Sequence, residues 1–481
     1  MIHTKRILSG ITALAMVGCF AACDGSGQGA EVTTTTQFTV EKNTEPLSEE
    51  DAATIDDVAA SLEGELENKT IKWLCFFDPF NANEYGAKKS LSLELFESKY
   101  DGVIERVHPE TTWGDYSNVL AQSIIGGEGI DFTYNSDLTI FPVGVQSGQI
   151  QSFDEYIDWN NPLWAEQKEF NDQFLLNGKH YNICIQPTAG RVVIYNQNTI
   201  DSLGLDDPWE LLEKDEWTWD AFKRLLVEFV DDEAGQYGLD GWFNEQNIML
   251  TCGVPLIEMR NGKLSHNLND PNIERVMNFM GELHDAGVVI DKNDPRWGWN
   301  THIEYIGEGR ELFYIDGIET TDNDPRGWTK TYGDAEDVRF VPLPRDPKSD
   351  KYYVPAGIEA YVLCKGAQNP EGVMRFMECL LTANKDERVQ QIADETRMTA
   401  YGWSETMVER SHKITEIARE NPVYDLSGGV QQKLVDIIGS GDKGVRAAFL
   451  NGANWAVVRE ENIGQIESYI DELNAKINDA Q

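Results

Sequence analysis

The stretch that decides the fold runs from residue 178 to residue 196 and reads GKHYNICIQPTAGRVVIYN. It contains two apolar runs, residues 181–185 and 191–196, whose length and composition are typical of strands. A well-formed helix start follows at residues 217–222, where Thr218 is the predicted N-cap and Trp217 and Phe222 the predicted hydrophobic staple. The stretch therefore opens an alternation of strands and helices.

The same alternation precedes the quoted stretch. We predict strands at 71–77, 102–107 and 130–134, separated by helices at 90–100 and 116–124. Such an order favours a mainly parallel α/β sheet. Towards the carboxyl terminus, we predict further helices at 271–286, 370–383, 429–439 and 455–478 and short strands at 312–315, 338–341 and 358–364.

The charge excludes some classes of partner. The chain has 481 residues, with 82 acidic against 40 basic side chains and a formal net charge of −42. Nucleic acids and anionic lipid surfaces require clustered lysine and arginine, so both are disfavoured as partners. Hydrophobic residues make up 41% of the chain, enough for folded cores.

The amino terminus resembles the signal of a bacterial lipoprotein. Residues 1–22 combine Lys5 and Arg6 with a short apolar region and end in two alanines before Cys23. This resemblance predicts that Cys23 carries the lipid, with Cys19 as a second candidate and an ordinary secretory signal or an uncleaved anchor as the alternatives. Residues 23–68 are predicted to form a tether with a short, peripheral acidic helix.

Metal and cofactor sites are not predicted. Five cysteines follow Cys23 without CxxC spacing, and we expect them to be buried free thiols. The histidines are isolated, and no pair has the spacing of metal ligands. The chain also lacks the G-x-S-x-G, H-E-x-x-H and Walker A motifs of common enzyme classes.

Several loose motifs occur in a fixed order along residues 69–480. They are WGDY at 113–116, GIDF at 129–132, GQIQSFDEYI at 148–157, GKHY at 178–181, YN at 195–196, WTW at 217–219, VPLP at 341–344 and NPE at 369–371. In this order they resemble the extracellular solute-binding proteins of ABC sugar importers, the large type that includes maltose-binding protein. One departure is Ile130, which stands where the family usually has proline.

The resemblance implies an α/β, two-lobed periplasmic-binding-protein-like fold with three interlobe crossings. These are expected near residues 185–188, 308–311 and 364–368. The first lobe would hold residues 69–186 and 312–363, and the second lobe residues 187–311 and 364–481. A solute would bind in the cleft between the lobes, which close on it by a hinge motion.

Sugar chemistry suggests the candidate site residues. Aromatic rings cover the faces of a sugar, while carboxylates, amides and arginines bind its hydroxyl groups; the 13 tryptophans of the chain supply such rings. Side chains that follow predicted strands are the first candidates. They are Phe77, Asp78, Tyr134, Asn135, Ser136, Asp137, Trp242, Phe243, Trp297 and Trp299, with Trp113 as a further aromatic candidate and Asp316, Glu359 and Tyr424 placed by the resemblance.

Structural alternatives accompany these candidates. Trp113 could pack between lobes, Asp137 could cap a helix, and Trp217 and Trp219 are expected in the core rather than in the cleft. For Trp242 we favour the cleft, because Asp240 and Gly241 before it form a turn signal.

The function implied by the resemblance is capture of a carbohydrate outside the cell and its delivery to an ABC permease. The protein would be a lipid-anchored monomer on the extracellular face of the membrane, without cofactor, metal or nucleic acid. The alternatives are a lipid-anchored carbohydrate-active enzyme, which needs only two suitably spaced carboxylates, and a solute sensor or adhesion module.

Overall fold

The structure, a computed structural model, describes residues 44–82, 87–112, 115–136, 138–241, 244–290, 294, 296–297, 302–322, 332–355, 357–430, 432–439, 444–445 and 452–479. The predicted signal peptide, most of the predicted tether and the predicted lipidation site Cys23 lie outside these ranges. The candidate residues outside them are Trp113, Asp137, Trp242, Phe243 and Trp299.

Within these ranges the chain forms thirteen strands in four sheets. They are β1 (Thr70–Leu74), β2 (Val103–Val107), β3 (Phe132–Tyr134), β4 (Asn182–Thr188), β5 (Val192–Asn196), β6 (Tyr237–Gly241), β7 (Ile257–Arg260), β8 (Lys263–His266), β9 (Glu311–Asp316), β10 (Val338–Val341), β11 (Val354–Pro355), β12 (Gly357–Leu363) and β13 (Pro422–Val423).

The first sheet has five strands in the order β2-β1-β3-β12-β4. β1 runs parallel to β2 and β3, whereas β12 runs antiparallel to β3 and β4. The strands from which a parallel sheet was predicted, β1, β2 and β3, are parallel to one another and confirm that prediction. The sheet as a whole is mixed, because β12 adds an antiparallel pair on each of its sides. The second sheet has the order β10-β5-β9-β6 and is also mixed, with β6 parallel to β9 and β5 antiparallel to its neighbours.

Helices cover the sheets. They are α1 (Glu49–Ala60), α2 (Leu91–Tyr100), α3 (Tyr116–Gly126), α4 (Val143–Gln146), α5 (Pro162–Ala165), α6 (Lys168–Asp172), α7 (Gln197–Leu203), α8 (Pro208–Glu213), α9 (Trp219–Phe229), α10 (Asn244–Leu250), α11 (Pro271–Asp285), α12 (Glu304–Gly307), α13 (Pro370–Lys385), α14 (Glu387–Thr399), α15 (Glu405–Glu420), α16 (Gln432–Gly439) and α17 (Trp455–Asp479). None of these described helices is long and apolar enough to cross a membrane.

The start of α9 confirms the predicted helix signal. Thr218 Oγ1 accepts a hydrogen bond from the backbone N–H of Ala221 at 3.4 Å. The rings of Trp217 and Phe222 lie 5.8 Å apart in an edge-to-face arrangement. Trp217 and Trp219 are both buried, as predicted, and their indole N–H groups donate to Pro342 O and to Thr251 Oγ1.

The amino-terminal acidic helix is part of the first lobe and is not peripheral as predicted. α1 packs against α2 and α14, and Ile55, Val58 and Leu62 of its predicted apolar face are buried. Its acidic face is tied down as well, because Arg388 Nη1 donates to Asp57 at 2.6 Å. The folded part of the chain therefore begins before residue 49 and not at residue 69.

The predicted division of the chain between the lobes is wrong in two places. β9 and β10 were expected in the first lobe, but both hydrogen-bond to β5 in the second sheet. α13 was expected in the second lobe, but it packs on α2, β1 and β4 of the first. α15 does belong with the second lobe, since Met407, Val408 and Ile414 share a buried apolar cluster with β5 and β10.

The crossings between the sheets shift accordingly. The chain leaves the first sheet at 189–191, just after the predicted position within β4. The expectations at 308–311 and 364–368 are wrong, because those residues lead into β9 and into α13, which remain in their own lobes. The chain returns to the first sheet between β10 and β12 and passes to the second lobe again between α14 and α15.

Three segments lie side by side where the lobes join. β11 pairs in parallel with β13. A Cβ atom on Gly190 would lie 2.7 Å from Gly357 N and 3.1 Å from Pro355 O, so only glycine allows this approach. We call residues 189–191, 354–355 and 422–423 the hinge.

The five cysteines that follow Cys23 are free and buried, as predicted. Burial raises the pKa of the Cys75 and Cys252 thiols to about 12, so both behave as inert apolar side chains.

Candidate functional site

Two sets of strand ends face each other across the first crossing. β3 and β4 run in the same direction, so Tyr134 and Thr188 both lie towards the carboxyl ends of their strands, although the register sets Tyr134 level with Ile183. Val192 lies at the same end of the second sheet as Asp316 and Gly241. The connection from Thr188 to Val192 spans at most about 14 Å. We call the space between the ends of β1 and β3 and those of β6 and β9 the cleft, where ligands of α/β sheets commonly bind.

The first-lobe side of the cleft carries an aromatic surface. Phe77 follows β1 and Tyr134 ends β3, and their rings meet edge to face with centroids 5.2 Å apart. The ring of Phe76 meets that of Phe77 edge to face, with centroids 4.9 Å apart. Both Phe77 and Tyr134 are only half-buried. A half-buried aromatic pair of this kind offers a flat apolar surface to a ligand.

Asp78 lies beside this surface but is engaged in its own loop. Its carboxylate accepts hydrogen bonds from the backbone N–H groups of Phe80 and Asn81 at 3.1 Å and from the Asn81 side chain at 3.0 Å. The side chain is 7% exposed. Asp78 therefore holds the loop that presents Phe77, and the structure gives it a positioning role.

Asn135 and Ser136 also anchor backbone. The Asn135 amide donates to Asn182 Oδ1 at 2.7 Å and accepts from the N–H of Ile140 at 2.8 Å, and the side chain is fully buried. Ser136 Oγ accepts from Ala360 N at 3.0 Å, where the register of β12 shifts. These predicted contact residues lie at the cleft, but their described hydrogen bonds serve the first lobe.

The second-lobe side carries a buried carboxylate with an arginine next to it. Asp316 ends β9, and Arg191 Nε lies 3.7 Å from its Oδ1, while Arg191 Nη1 lies 3.9 Å from Glu319 Oε1. Burial raises the pKa of Asp316 to about 6, although Arg191 and the N–H of Gly317 act in the opposite direction. The Asp316 carboxylate, a hydrogen-bond acceptor, and the Arg191 guanidinium, a hydrogen-bond donor, thus lie next to each other at the hinge.

Arg191 was not among the predicted site residues. It directly follows Gly190 in the quoted stretch, and it is a cation at a crossing in a strongly acidic chain. The positive charge at a predicted crossing between the lobes was the feature from which the sequence could have identified Arg191 as a site residue.

The end of β6 brings a further carboxylate towards the cleft. Asp240 is fully buried, and its Oδ2 accepts from the backbone N–H of His302 at 3.2 Å. Asp240 and Gly241 belong to the strand, and not to a turn as predicted. Gly241 has φ 137°, which favours glycine, and the strand ends there. The predicted ligand residue Trp242 follows directly in the sequence.

Glu359 and Tyr424 lie elsewhere, on the outer side of the hinge. Asn384 and Gln186 donate to Glu359 Oε2 at 2.8 and 3.1 Å. Burial raises the pKa of Glu359. Tyr424 packs on Phe170 with ring centroids 5.7 Å apart, and its hydroxyl has no hydrogen-bond partner among the described residues.

Tyr424, Gln186 and Asn384 line a groove of about 560 Å³ that also involves α6 and the end of α15. We call it the hinge groove. A second concavity, of about 460 Å³, lies near Leu66, Tyr156 and Asn369, also away from the cleft.

Trp297 does not reach the cleft end of the second sheet. Its ring contacts Tyr237 at 4.5 Å, and Tyr237 begins β6 at the end of the strand opposite to Gly241. The ring of Trp297 also lies 5.4 Å from that of His302. Its closest described ring contact is therefore with the first residue of β6 and not with the cleft end of that strand, contrary to the prediction.

The described residues contain no cluster of three or more histidine, cysteine or carboxylate side chains that could hold a metal ion. The cleft offers aromatic faces, carboxylates and one guanidinium. This donor and acceptor set suits hydroxyl groups on a ring.

Comparison with protein families gives one match. Residues 83–385, more than half of the chain, match the family model of the bacterial extracellular solute-binding protein. The chain therefore belongs to this family, whose members bind solutes outside the cell. A comparison with curated protein sequences gives no match.

Solved structures share the fold. The ABC substrate-binding protein Lmo0181 from Listeria monocytogenes, in complex with cycloalternan, is 16% identical with a TM-score of 0.57, and the match covers 83% of this chain and 99% of that one. The galacto-N-biose/lacto-N-biose I-binding protein from Bifidobacterium longum, in complex with lacto-N-biose, is 14% identical with a TM-score of 0.55, and the match covers 83% of this chain and 96% of that one. An extracellular solute-binding protein from Staphylococcus aureus, in complex with maltose, is 14% identical with a TM-score of 0.53, and the match covers 85% of this chain and 99% of that one. At these identities the likeness shows the fold, which confirms the two-lobed prediction.

Proposed function

We propose that the protein captures a carbohydrate in the cleft and delivers it to an ABC permease while a lipid on Cys23 holds it at the outer face of the cell membrane. The sugar would lie with one ring face on Phe77 and Tyr134 and with hydroxyl groups on Asp316 and Arg191. Trp242, next to Gly241, would stack from the second lobe.

The observation that carries the proposal is the pairing of Arg191 with Asp316 beside the hinge. A buried carboxylate with a raised pKa is costly to the fold, and such groups concentrate at functional sites. The carboxylate accepts hydrogen bonds and the guanidinium donates them, so the pair serves both roles of a sugar hydroxyl. Solute-binding relatives whose structures contain cycloalternan, lacto-N-biose and maltose support the same class of ligand.

Thermal unfolding with a sugar panel tests the ligand class. The panel contains maltose, maltotetraose, lacto-N-biose, cycloalternan and D-tagatose, each of which is named as the ligand of a similar structure. A sugar that binds the folded state stabilises it by about 2.7 kcal/mol at a hundredfold excess over Kd. Calorimetric titration of every positive sugar follows, together with chromatography of the recovered sugar. An intact sugar supports binding, whereas cleavage would support the carbohydrate-active enzyme instead.

Mass spectrometry of the native amino terminus tests the anchor. A mature chain that begins at a lipid-modified Cys23 is expected, and an unmodified Cys23 in a chain with another start would reject it. Delivery is tested by uptake of the bound sugar in cells with and without the gene for this chain.

A further inference from the structure

Two arginines of the second lobe lie close together without a carboxylate partner. Arg339 belongs to the edge strand β10, and Arg410 belongs to α15. In a chain with 82 acidic side chains, most described arginines pair with a carboxylate, as Arg224 does with Asp206 at 2.7 Å. No described carboxylate lies within ion-pair distance of Arg339 or Arg410. Two positive charges are therefore left without a contacting counter-charge at one place.

Tyr195 of β5 connects the two arginines. Arg410 Nη1 donates to the Tyr195 hydroxyl at 3.0 Å, and this hydroxyl donates to Asp207 Oδ1 at 2.8 Å. Arg339 lies directly opposite Tyr195 in the antiparallel pair of β10 and β5. Because opposite residues of such a pair lie on the same face of the sheet, Arg339 and Tyr195 are neighbours. Both guanidinium groups therefore lie beside the same tyrosine.

The two guanidinium groups are held in place but keep donors to spare. Arg410 is 9% exposed, and its guanidinium lies over the ring of Trp209 in α8, 4.5 Å from the centroid. Arg339 is half-buried, and its Nη1 donates to the carbonyl of Val338 at 2.8 Å. The Nε and Nη2 groups of both arginines have no partner among the described residues and are not sealed from solvent. These N–H groups can donate to a ligand.

Two like charges side by side cost free energy unless an anion lies with them. Burial and the neighbouring Arg410 lower the pKa of Arg339, because both disfavour its charged form. Glu336 and Asp337, just before β10, act on this pKa in the opposite direction but do not contact the guanidinium. An anion that accepts hydrogen bonds from both guanidinium groups would remove the repulsion between them.

These residues lie away from the cleft and from the hinge. Val192 is at the cleft end of β5, and Tyr195 follows it by three residues, roughly 10 Å along the strand. β5, β10, α8 and α15 all belong to the second lobe. A ligand at the two arginines would therefore contact one lobe only, and it would not touch a solute in the cleft.

We propose that Arg339 and Arg410 form a binding site for a small tetrahedral oxyanion such as phosphate. The guanidinium fork matches the oxygen spacing of phosphate and carboxylate groups, and two forks suit an anion with more than two oxygens and more than one charge. Tyr195, whose proton is directed to Asp207, holds Arg410 in place and acts as a positioning residue. The site is independent of the carbohydrate proposal.

Calorimetric titration of the full chain with sodium phosphate, at constant ionic strength, tests the site. We expect saturable binding, and Arg339→Gln should weaken it about 10-fold or more, the range for a lost hydrogen bond to a charged group. The matched control is Arg224→Gln, which removes the same charge from the same lobe at an arginine that already pairs with Asp206. It should keep the parent affinity. No saturable binding by the parent, or equal losses in the two variants, would overturn the proposal.

Thermal unfolding separates a ligand site from a structural role of Arg339. Without phosphate, Arg339→Gln should be at least as stable as the parent, because it removes the repulsion from Arg410. With phosphate, the melting temperature should rise more in the parent and in Arg224→Gln than in Arg339→Gln. Phosphate also stabilises folded proteins by exclusion from their surface, so only the difference between variants counts. A clear loss of stability of Arg339→Gln without phosphate would show that the arginine serves the fold and would overturn the site.

Two further titrations identify the anion and its source. Glycerol phosphate that binds as well as inorganic phosphate would support a site for phosphate groups on larger molecules, whereas binding of inorganic phosphate alone would support a site for the free ion. Acetate, with one charge and two oxygens, should bind more weakly than phosphate, and equal binding would overturn the choice of a tetrahedral anion. For any sugar of the panel that binds, Arg339→Gln should keep the parent affinity. If no sugar binds, the carbohydrate proposal fails, but the phosphate titrations still decide this site.

Discussion

The two sides of the hinge use their polar side chains differently. On the cleft side, Asp78, Asn135 and Ser136 form their described hydrogen bonds within the first lobe. On the groove side, Gln186 accepts a hydrogen bond from an arginine of the second lobe. The described polar contacts on the cleft side thus stay within one lobe, whereas those on the groove side connect the first sheet with α15.

Two aromatic residues after β1 also differ in their surroundings. Phe77 and Phe80 lie three residues apart, but Phe77 is half-buried at the cleft, whereas Phe80 is 2% exposed and contacts Trp73 and Phe376. One ring is placed for a ligand and the other for the core.

The largest expected effect is the loss of stability when Phe80 rather than Phe77 is replaced by alanine. Phe80→Ala removes a core ring and should lower the free energy of unfolding by about 3–5 kcal/mol. Phe77→Ala should lower it by less than about 1.5 kcal/mol and instead weaken sugar binding by about 2 kcal/mol. Urea unfolding and calorimetric titration separate the two effects. Equal losses of stability would show that Phe77 is a core residue.

Trp242→Ala tests the prediction that the residue after β6 belongs to the ligand site. We expect sugar binding to weaken by roughly 2–3 kcal/mol through lost stacking and apolar contact, with the fold intact. Calorimetry beside a melting curve of the ligand-free protein measures both. Trp219→Ala is the control, since Trp219 is buried against Phe279 and should cost stability. A large loss of melting temperature in Trp242→Ala would identify it as a core residue.

Asp316→Asn tests whether the site is costly to the fold. The carboxyl has a pKa of about 6 in the folded chain, above the value of about 3.9 in the unfolded chain. The folded state therefore binds the proton more tightly, so the free energy of unfolding falls as pH rises from about 4 to about 6 and the cost persists above that range. The variant should lose this slope and gain about 1–3 kcal/mol at pH 7.

Urea unfolding at pH 4.5 and pH 7 measures this difference, and Glu319→Gln, an exposed neighbour, should show little change. The gain in stability should accompany weaker sugar binding. A less stable Asp316→Asn protein at pH 7 would mean that the attraction of Arg191 outweighs the cost of burial.

The smallest expected effect is that of a tryptophan that we place outside the cleft. Trp297→Ala should leave sugar affinity within about 0.5 kcal/mol of the parent, because its ring packs on Tyr237 at the far end of β6. Calorimetric titration measures the affinity. A clear loss of affinity would return Trp297 to the ligand site.

The sequence by itself determined the local elements. Thr218 caps α9, the apolar face of α1 is buried, and the runs at 181–185 and 191–196 are strands, because caps and hydrophobic periodicity depend on neighbours within a few residues. The order of motifs was sufficient to identify the family, since it reflects the whole chain.

Only the tertiary structure decided which lobe holds each element and what each polar side chain does. β9 and β10 are strands in either lobe, and their place follows from hydrogen bonds to β5, far away in sequence. Asp78 and Asp316 are both carboxylates at the end of a strand, and the sequence does not distinguish them. The Asp78 carboxylate accepts hydrogen bonds from its own loop, whereas the Asp316 carboxylate is buried beside Arg191. Those differences come from partners that folding brings together, and sequence periodicity carries no information about them.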